Sequence, residues 1–288
     1  MTNKYILARN LLLMAALDEI GAAAAGNGLD LVLLKGAALL SEEVYGPAER
    51  EMTDLDLLIR PEDENAFEEL LTGLGFKAME NSSQAYYRMA APSAPPVIAD
   101  LHTALRHEKN TAALWSRAGR ASTTAAVLGL EDQVLHLASH TLLHHGCLEE
   151  LTLQDLGRLL SFVYAKADRT DFWRKTAAIA ANAKLKPVIY PVFTRLSAAK
   201  PALLSPEELS PFEPRGTDKL KSRLFEKAAA KHTRLLEYLL PVVYRPSLFA
   251  RYLFPGKVFL TKRYGKNSWT NHLKRPFQLL TSAFKKED

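Results

Sequence analysis

Short apolar runs alternate with helix-like segments through the first third of the chain. Apolar runs of this length, bounded by Gly and Pro, are typical of β-strands. They cover residues 31–34, 54–59, 76–80, 85–89 and 97–102. Segments with helical spacing cover residues 4–25, 37–44 and 61–74. In the first of these, the predicted apolar stripe is Leu7, Leu11, Met14, Leu17 and Ile20. The pattern predicts a mixed sheet of about five strands with flanking helices.

From about residue 111 onwards, apolar positions recur three and four residues apart, which is typical of amphipathic helices. The predicted helices are residues 129–145, 151–165, 171–183 and 186–199. Residues 201–216, rich in Pro, Ser and Glu, predict a linker or exposed loop. The fold class is therefore predicted to be α+β. The sheet domain would cover 1–108, a helical domain 109–200, and a linker with a basic, aromatic-rich helical region 201–288.

Two aspartates stand at the start of the second apolar run, in the sequence Asp54-Leu55-Asp56. Residues two apart in a strand face the same side, so the two carboxylates would lie together. Carboxylates this close repel each other unless a positive charge lies between them, and such oxygen ligands suit Mg²⁺. Asp100, near the end of another apolar run, supplies a third acid. The alternative is that the aspartate pair ends a strand and faces water.

A phosphate site is predicted just before the aspartate pair. Lys35 and Gly36 follow the first apolar run, and a helix begins after them. A tight glycine turn at a helix N-terminus presents free N–H groups, here including that of Ala37, to a phosphate. Lys35 or Arg50 would add positive charge. For Arg50, the alternative is a surface arginine on a loop.

Two further polar residues are candidates for supporting roles. Thr53 precedes the first aspartate and would orient it. His102 lies two residues after Asp100 and hence on the same strand face. It would bind a metal ion, contact a phosphate or accept a proton, and the alternative is a structural histidine at a strand end.

The segments LKGAALL, REMTDLDLLI and ADLHTAL together resemble the nucleotidyltransferase superfamily, which has the DNA polymerase beta-like fold. Its hallmark is a strand, a glycine turn with a helix, D-x-D on the next strand and a third acid on a later strand. Within it, the chain is most similar to a largely uncharacterised family of bacterial nucleotidyltransferases. The segments LHLASHTLLHHG and LTLQDLGRLL extend the similarity to about residue 165. The turn departs from the usual Gly-Gly or Gly-Ser, because it is Gly36-Ala37, and the spacing from Gly36 to Asp54 is longer than in minimal members.

The resemblance implies a catalytic domain over 1–108 that transfers a nucleoside monophosphate from an NTP to a hydroxyl. ATP is the favoured NTP, and the acceptor would be a small molecule, a sugar or a protein. The three acids would hold two Mg²⁺ ions, and the glycine turn with Arg50 would hold the nucleotide. The alternative is a non-catalytic nucleotide-binding or scaffold module. Phosphotransfer of the antibiotic-kinase type is disfavoured, because its order of catalytic Asp, Asn and metal-binding acid is not found.

Histidines recur on one predicted helix at His136, His140 and His144. Positions i and i+8 are about 12 Å apart along a helix axis, so the three cannot share one metal ion, whereas two of them with an outside acid could. A packed, hydrogen-bonded histidine stripe is the preferred interpretation. His140 would reach a substrate only if that helix face lines the cleft. Asp155, on the next helix, would form an ion pair or, less favoured, orient one of these histidines.

Positive charge is concentrated at the C-terminal end of the chain. The whole chain has 37 Lys and Arg against 32 Asp and Glu, and residues 245–288 hold ten against two, with aromatic residues interleaved. Such a region suits an anionic membrane surface or an acidic partner protein, with nucleic acid less favoured. A solvated basic face whose aromatics cover the helical bundle is the preferred alternative.

The cysteine content and the lack of long apolar runs exclude several classes of protein. The single cysteine, Cys147, excludes an intramolecular disulfide framework and a cysteine-based zinc cluster. Asp18 and Glu19 interrupt the apolar N-terminal segment, so a signal peptide is not expected. The sequence has no apolar run of about 18 residues or more, so a transmembrane helix is not expected. The expected location is the cytoplasm, where the basic region would allow peripheral association with the inner membrane face.

Overall fold

The structure is a computed structural model. It describes residues 3–79, 82, 84–91, 94–105, 108, 110–120, 124–230, 234–245 and 261. The chain divides into two compact units, Met1–Gln133 and Val134–Asp288. The predicted domain boundaries near residues 108 and 200 stay predictions.

The first unit is built on a mixed sheet, which has seven strands in the described part of the chain. The strands are β1 (Leu31–Leu33), β2 (Leu55–Ile59), β3 (Lys77–Ala78), β4 (Ala85–Arg88), β5 (Val97–His102), β6 (Gly119–Arg120) and β7 (Ala126–Val127). They lie in the order β3-β4-β5-β2-β1-β7-β6. β2 is parallel to β5 and β1 to β7, whereas the other neighbours are antiparallel. Every residue of β1 and β2 is buried, and apart from Asp56 both strands are apolar, as expected of strands that are covered on both faces.

Helices pack around this sheet. Those of the first unit are α1 (Asn3–Gly26), α2 (Lys35–Ser41), α3 (Glu64–Gly73, preceded by a 3-10 turn at Pro61–Asp63) and α4 (Thr111–Arg117). α1 contacts α3 and β5. It buries Leu13, Leu17 and Ile20 at helical spacing. Leu114 of α4 packs into an apolar cluster with Val32 and Leu58. Burial of each such side chain stabilises the unit by about 1.5–3 kcal/mol.

The sheet has more strands than the five that the sequence predicts. β6 and β7 have two residues each and lie in a segment that was expected to be helical from residue 111 onwards. Strands this short carry no alternating pattern, and the pairing of β7 with β1 is a long-range contact. The α+β prediction itself, a mixed sheet with flanking helices followed by a mostly helical region, is confirmed.

The regular elements of the second unit are all helices among its described residues. Its helices are α5 (Leu130–His144, which begins just before the unit boundary), α6 (Glu150–Lys166), α7 (Arg169–Asn182), α8 (Lys186–Ala199), α9 (Pro206–Leu209), α10 (Asp218–Ala230) and α11 (Arg234–Tyr244). Trp173, Phe193 and Phe212 pack edge to face in its core, with ring centroids 5.1 to 5.7 Å apart. Aromatic pairs of this geometry add about 0.5–1.5 kcal/mol beyond the area they bury.

Residues 201–216, expected to form a linker or exposed loop, contain α9 and a 3-10 turn at Ser210–Phe212. Ser205 and Glu208 form a capping box at the start of α9, which satisfies two of the free N–H groups there. Leu204 and Phe212 are fully buried. Part of this segment therefore belongs to the core of the second unit.

Among the described residues, none of the helices combines the length and apolarity that crossing a membrane requires. The basic region over 245–288 lies outside the described residues except at positions 245 and 261. Its predicted contact with an anionic membrane surface or an acidic partner stays a prediction.

Candidate functional site

The candidate site lies where the parallel strands β2 and β5 run side by side. Asp56 of β2 pairs in register with Asp100 of β5, so the two side chains leave the same face of the sheet. His102 ends β5 on that face, and Asp54 comes one residue before β2. The negative charges of Asp54 and Asp56 both act on Asp100. The structure therefore brings together the three acids that the sequence singles out.

Asp56 is the centre of this cluster and its most buried acid, with only 4% of its surface exposed. Its Oδ1 accepts a hydrogen bond from Lys35 Nζ at 2.8 Å and lies 2.8 Å from His102 Nε2. The same His102 nitrogen is 3.6 Å from Asp100 Oδ2. One ligand atom from each of Asp56, Asp100 and His102 lies within 4.8 Å of the others. Small side-chain rotations would let one cation contact all three.

Asp54 is not a member of this closest set of three. It accepts a hydrogen bond from the Thr53 hydroxyl at 3.0 Å, which is the contact that an orienting role for Thr53 requires. Carboxylate oxygens are the ligands that Mg²⁺ prefers in proteins, and it takes others from substrate phosphates. The donor set of the three acids therefore fits a hard divalent cation.

Lys35 begins α2 with an unusual backbone conformation. Its φ is +45°, in the left-handed region that residues with a side chain seldom adopt and that costs of order 1–3 kcal/mol. The ion pair of Lys35 with Asp56 helps to offset that cost. The Leu34 N–H donates to the Asp56 carbonyl at 3.0 Å, so the residue before α2 is hydrogen-bonded to β2 directly beside the acids.

Gly36 allows Arg50 to approach this turn. A Cβ at Gly36 would lie 2.5 Å from Arg50 Nη1 and 3.1 Å from Met52 Cγ. Replacing the glycine would therefore displace the guanidinium, which also donates to the Glu51 carbonyl at 3.2 Å. Ala37 has no polar side-chain group, so its contribution to a phosphate site would be limited to its backbone N–H. The structure thus groups the four residues that the sequence predicts for a nucleotide phosphate.

Arg9 of α1, which the sequence interpretation missed, joins the two loops that lead to the acids. Its guanidinium donates to the carbonyls of Thr53 and Pro96 at 2.8 Å each and to that of Pro95 at 3.3 Å. Thr53 precedes Asp54, and the two prolines precede β5. Arg9 is 7% exposed. A planar guanidinium with five donors suits this task of satisfying several carbonyl groups at once.

Asn10, the next residue, holds the loop that contains Arg50. Its side-chain amide donates to the carbonyls of Pro47 and Arg50 at 2.8 and 2.7 Å, and its Oδ1 accepts from the Met52 N–H at 3.0 Å. Asn10 has no exposed surface. Both Arg9 and Asn10 occupy the buried side of a Leu- and Ala-rich helix. Two adjacent polar residues in such a helix are the local signal at these positions, but it does not show that they face the core, because the adjacent pair Asp18 and Glu19 of α1 is exposed.

The three acids differ in how the site affects their ionisation. Burial and the charge of Asp56 raise the pKa of Asp54. Burial raises the pKa of Asp100, an effect that the charge of His102 reduces and that of Asp56 reinforces. Burial acts on Asp56 too, but hydrogen bonds and charge from His102 and Lys35 outweigh it and hold its pKa well below the usual range. The cluster is short of positive charge, which a divalent cation would supply.

Asp100→Asn is expected to stabilise the metal-free protein at neutral pH. The folded-state pKa of Asp100 lies above the unfolded value, so its stabilising contribution is complete only below the unfolded pKa of about 3.9. That contribution is lost as the pH rises through the folded value. The gain in melting temperature should therefore be largest near pH 7 and shrink towards about pH 4. Thermal melts in EDTA across this range measure it, and a variant less stable than the wild type at pH 7 would contradict it.

Two of the predicted supporting residues lie in the second unit, on α5 and α6. Asp155 is buried, with 3% of its surface exposed. His140 is half-buried, and its ring packs against those of His136, His144 and His145. The roles predicted for His140 and Asp155 at the site stay predictions.

Comparison with known proteins bears on the whole first unit and on much of the second. A protein family described as uncharacterised nucleotidyltransferase matches residues 2–197. That span includes the sheet, the acid cluster and most of α8. Among curated proteins, none matches the chain. Because the match covers more than half of the 288 residues, it confirms the family resemblance. The chain therefore belongs to the family of uncharacterised nucleotidyltransferases.

Proposed function

We propose that the protein is a Mg²⁺-dependent nucleotidyltransferase. It would transfer a nucleoside monophosphate from an NTP, with ATP favoured, to a hydroxyl of a small molecule, a sugar or a protein. The observation that carries the proposal is the in-register pair of Asp56 and Asp100, with Asp54 beside it and Lys35 on Asp56. Membership of a nucleotidyltransferase family supports the reaction class.

Asp54, Asp56 and Asp100 are the proposed metal ligands, and two ions are expected. When bound, Mg²⁺ would polarise the α-phosphate and lower the pKa of the acceptor hydroxyl. The crowding of the acids supports this assignment, because two of the three carboxyl groups already have a raised pKa. Carboxyl groups held this close repel each other, and a cluster of them with shifted pKa values is typical of a functional site, here one that would bind a cation.

The turn at the start of α2 would hold the triphosphate. The first N–H groups of a helix have no partner within it, so those of Gly36 and Ala37 suit phosphate oxygens. Lys35 would exchange its carboxylate partner for a phosphate oxygen, and Arg50 beside Gly36 would contact the phosphates through two N–H groups. Positioning and charge neutralisation of this kind supply most of the catalysis in phosphoryl chemistry.

The reaction would proceed by in-line displacement. The acceptor oxygen forms a bond to the α-phosphorus, the bond from that phosphorus to the bridging oxygen breaks, and pyrophosphate leaves. Asp100 is the proposed acceptor of the hydroxyl proton, because its carboxylate would lie beside the hydroxyl that the metal ion activates. His102 would keep Asp56 and Asp100 in place, and Thr53 would orient Asp54.

The Lys35–Asp56 ion pair favours a second candidate function, that of a non-catalytic nucleotide-binding or scaffold module. The Lys35 ammonium on Asp56 lowers the electrostatic cost of burying the three acids, so the cluster is stable without a metal ion. Such a module would keep the nucleotide pocket, or only the fold, and dock to a membrane surface or an acidic partner through residues 245–288.

Calorimetric titration with each of the four NTPs, with and without Mg²⁺, separates the two candidates. Nucleotide binding that needs Mg²⁺ is the result expected of the transferase, because the acids repel a triphosphate until a divalent cation neutralises them. Equal binding in EDTA would favour the scaffold. Asp30→Asn, which changes an exposed acid before β1, is the matched control and should bind like the wild type. Failure to bind any NTP under either condition would overturn the transferase and the nucleotide-binding form of the module.

A further inference from the structure

A second group of metal-ligating side chains lies in the second unit, at the C-terminal end of α5. His140 and His144 are one helical turn apart, and their rings stack with centroids 4.7 Å apart and planes at 12°. His145 packs edge-on against both, with its ring centroid 5.0 Å from each. One ring nitrogen from each of the three lies within 4.8 Å of the others.

The third member of this group is His145, not the His136 of the predicted stripe. His136 and His144 are eight residues apart on the helix, too far to share an ion. His145 directly follows His144, the last residue of α5. A spacing of four residues along a helix picks out His136, His140 and His144. His145 lies outside that pattern and joins the group through the turn that follows α5.

That turn holds His145 in a defined position. Gly146 has a φ of +68°, the left-handed conformation that commonly ends a helix. The His145 N–H donates to the Thr141 carbonyl at 3.2 Å. The buried Thr141 hydroxyl donates to the Cys147 carbonyl at 2.8 Å and accepts from the Glu149 N–H at 3.3 Å. The turn is thus hydrogen-bonded back onto α5, and the third ring is part of the built structure.

The surroundings favour a cation over an anion. Carbonyl groups at the C-terminal end of a helix carry partial negative charge. The Glu149 carboxylate adds a full one, with its Oε1 3.6 Å from His145 Nδ1. Neutral imidazole suits Zn²⁺ and related transition-metal ions, whereas Mg²⁺ prefers oxygen ligands.

The spacing suits such an ion. Ligand nitrogens in a tetrahedral zinc site, with Zn–N bonds near 2.05 Å, are about 3.3 Å apart. The three ring nitrogens here lie within 4.8 Å of one another, so closing the set requires movements of about 1.5 Å or less. Rotation about side-chain torsions supplies this without a change in the helix.

We propose that His140, His144 and His145 bind one divalent transition-metal ion, for which Zn²⁺ is the probe. The fourth position is open to water or to the Glu149 carboxylate. This nitrogen site differs in selectivity from the acid cluster on β2 and β5, which offers mainly oxygen. A bound ion links the end of α5 to the turn that follows it and stabilises the second unit.

Zn²⁺ titration of the full-length Asp56→Asn variant, followed by calorimetry, tests this site with the acid cluster weakened. One ion per chain is expected to bind with a Kd of about 10 µM or tighter. Adding His144→Ala or His145→Ala to this variant should weaken binding about tenfold or more, because each removes one of three ligands. Zn²⁺ should also raise the melting temperature of the parent variant and not of these two.

His102→Asn in the same background is the matched control, because it removes a histidine from the other cluster and should leave this affinity unchanged. His144 is exposed, so its replacement should leave the fold intact, which a metal-free melt verifies. Equal Zn²⁺ affinity in the parent and in both histidine variants would overturn the proposal. So would the absence of binding by the parent at about 0.1 mM Zn²⁺. Neither result depends on whether the protein transfers nucleotides.

Discussion

Asp56→Asn is expected to reduce nucleotidyl transfer about a thousandfold or more. Asp56 is central to the cluster, since it pairs with Asp100 across the strands and binds both Lys35 and His102. Loss of one group that stabilises charge in a transition state typically costs two to three powers of ten, and here it also disables a proposed metal ligand. Incubating the protein with α-labelled NTPs and a cell extract, and measuring label that becomes attached to an acceptor, gives the rate.

Asp30→Asn is the matched control for this assay as well. It makes the same chemical change at an exposed residue that pairs with Arg60 at 3.4 Å, and surface pairs of this kind contribute about 0–1 kcal/mol. Its transfer rate should equal that of the wild type. Full activity of Asp56→Asn would rule out the metal assignment. Transfer of label from γ-labelled NTP instead of α-labelled NTP would indicate a kinase-type reaction.

The stability of these variants should separate the roles of the acids. Asp56 has a lowered pKa, so its charge stabilises the folded protein above the unfolded pKa of about 3.9 and that contribution is lost as the pH falls. Replacing it by Asn weakens two charged hydrogen bonds, at a cost of about 1–3 kcal/mol. Asp100→Asn should instead stabilise the metal-free fold. If Asp56→Asn destabilises the fold, Asp100→Asn stabilises it and both lose nucleotidyl transfer, the acids serve the reaction and not the stability of the fold.

The sequence was sufficient to find the acids because their geometry is local. A spacing of two predicts that Asp54 and Asp56 face the same side of a strand, and β2 and β5 are short, mostly apolar runs that each contain one acid. That Asp56 and Asp100 would lie opposite each other does not follow from either run alone. The parallel pairing of β2 with β5 joins segments 44 positions apart, and only the family resemblance suggested it.

The contacts that support the acids are long-range, and no local pattern predicts them. Lys35 was predicted to face a phosphate, whereas its Nζ lies on Asp56, 21 residues away. In α1, apolar residues occur on almost every side, so the period did not fix the buried face. Leu11, placed on the predicted stripe, is 55% exposed, while Arg9 and Asn10 are buried. The burial of Arg9 and Asn10 depends on the loops that they hold, so it cannot be predicted from the sequence of α1 alone.

Arg9→Met is expected to destabilise the first unit by about 3 kcal/mol, the second large effect. Three carbonyl groups, those of Thr53, Pro95 and Pro96, would lose their donor. Each buried carbonyl left without a partner costs about 1 kcal/mol or more. Methionine keeps most of the apolar volume, so the loss reports the hydrogen bonds. Urea denaturation, followed by the shift in midpoint at a constant slope, measures the change in the free energy of unfolding.

Arg174→Met is the matched control, because that arginine is 70% exposed and pairs with Asp171, three residues earlier on α7. Its cost should stay below about 0.5 kcal/mol. Arg9→Lys should fall between the two, since an ammonium carries three donors but lacks the planar fork that spans two loops. Mg²⁺-dependent NTP binding should weaken in the same order, because the loops that Arg9 joins lead directly to Asp54 and to β5. If Arg9→Met were as stable as Arg174→Met, this prediction would fail. In that case α1 would only pack against the sheet and would not set the spacing of the acids.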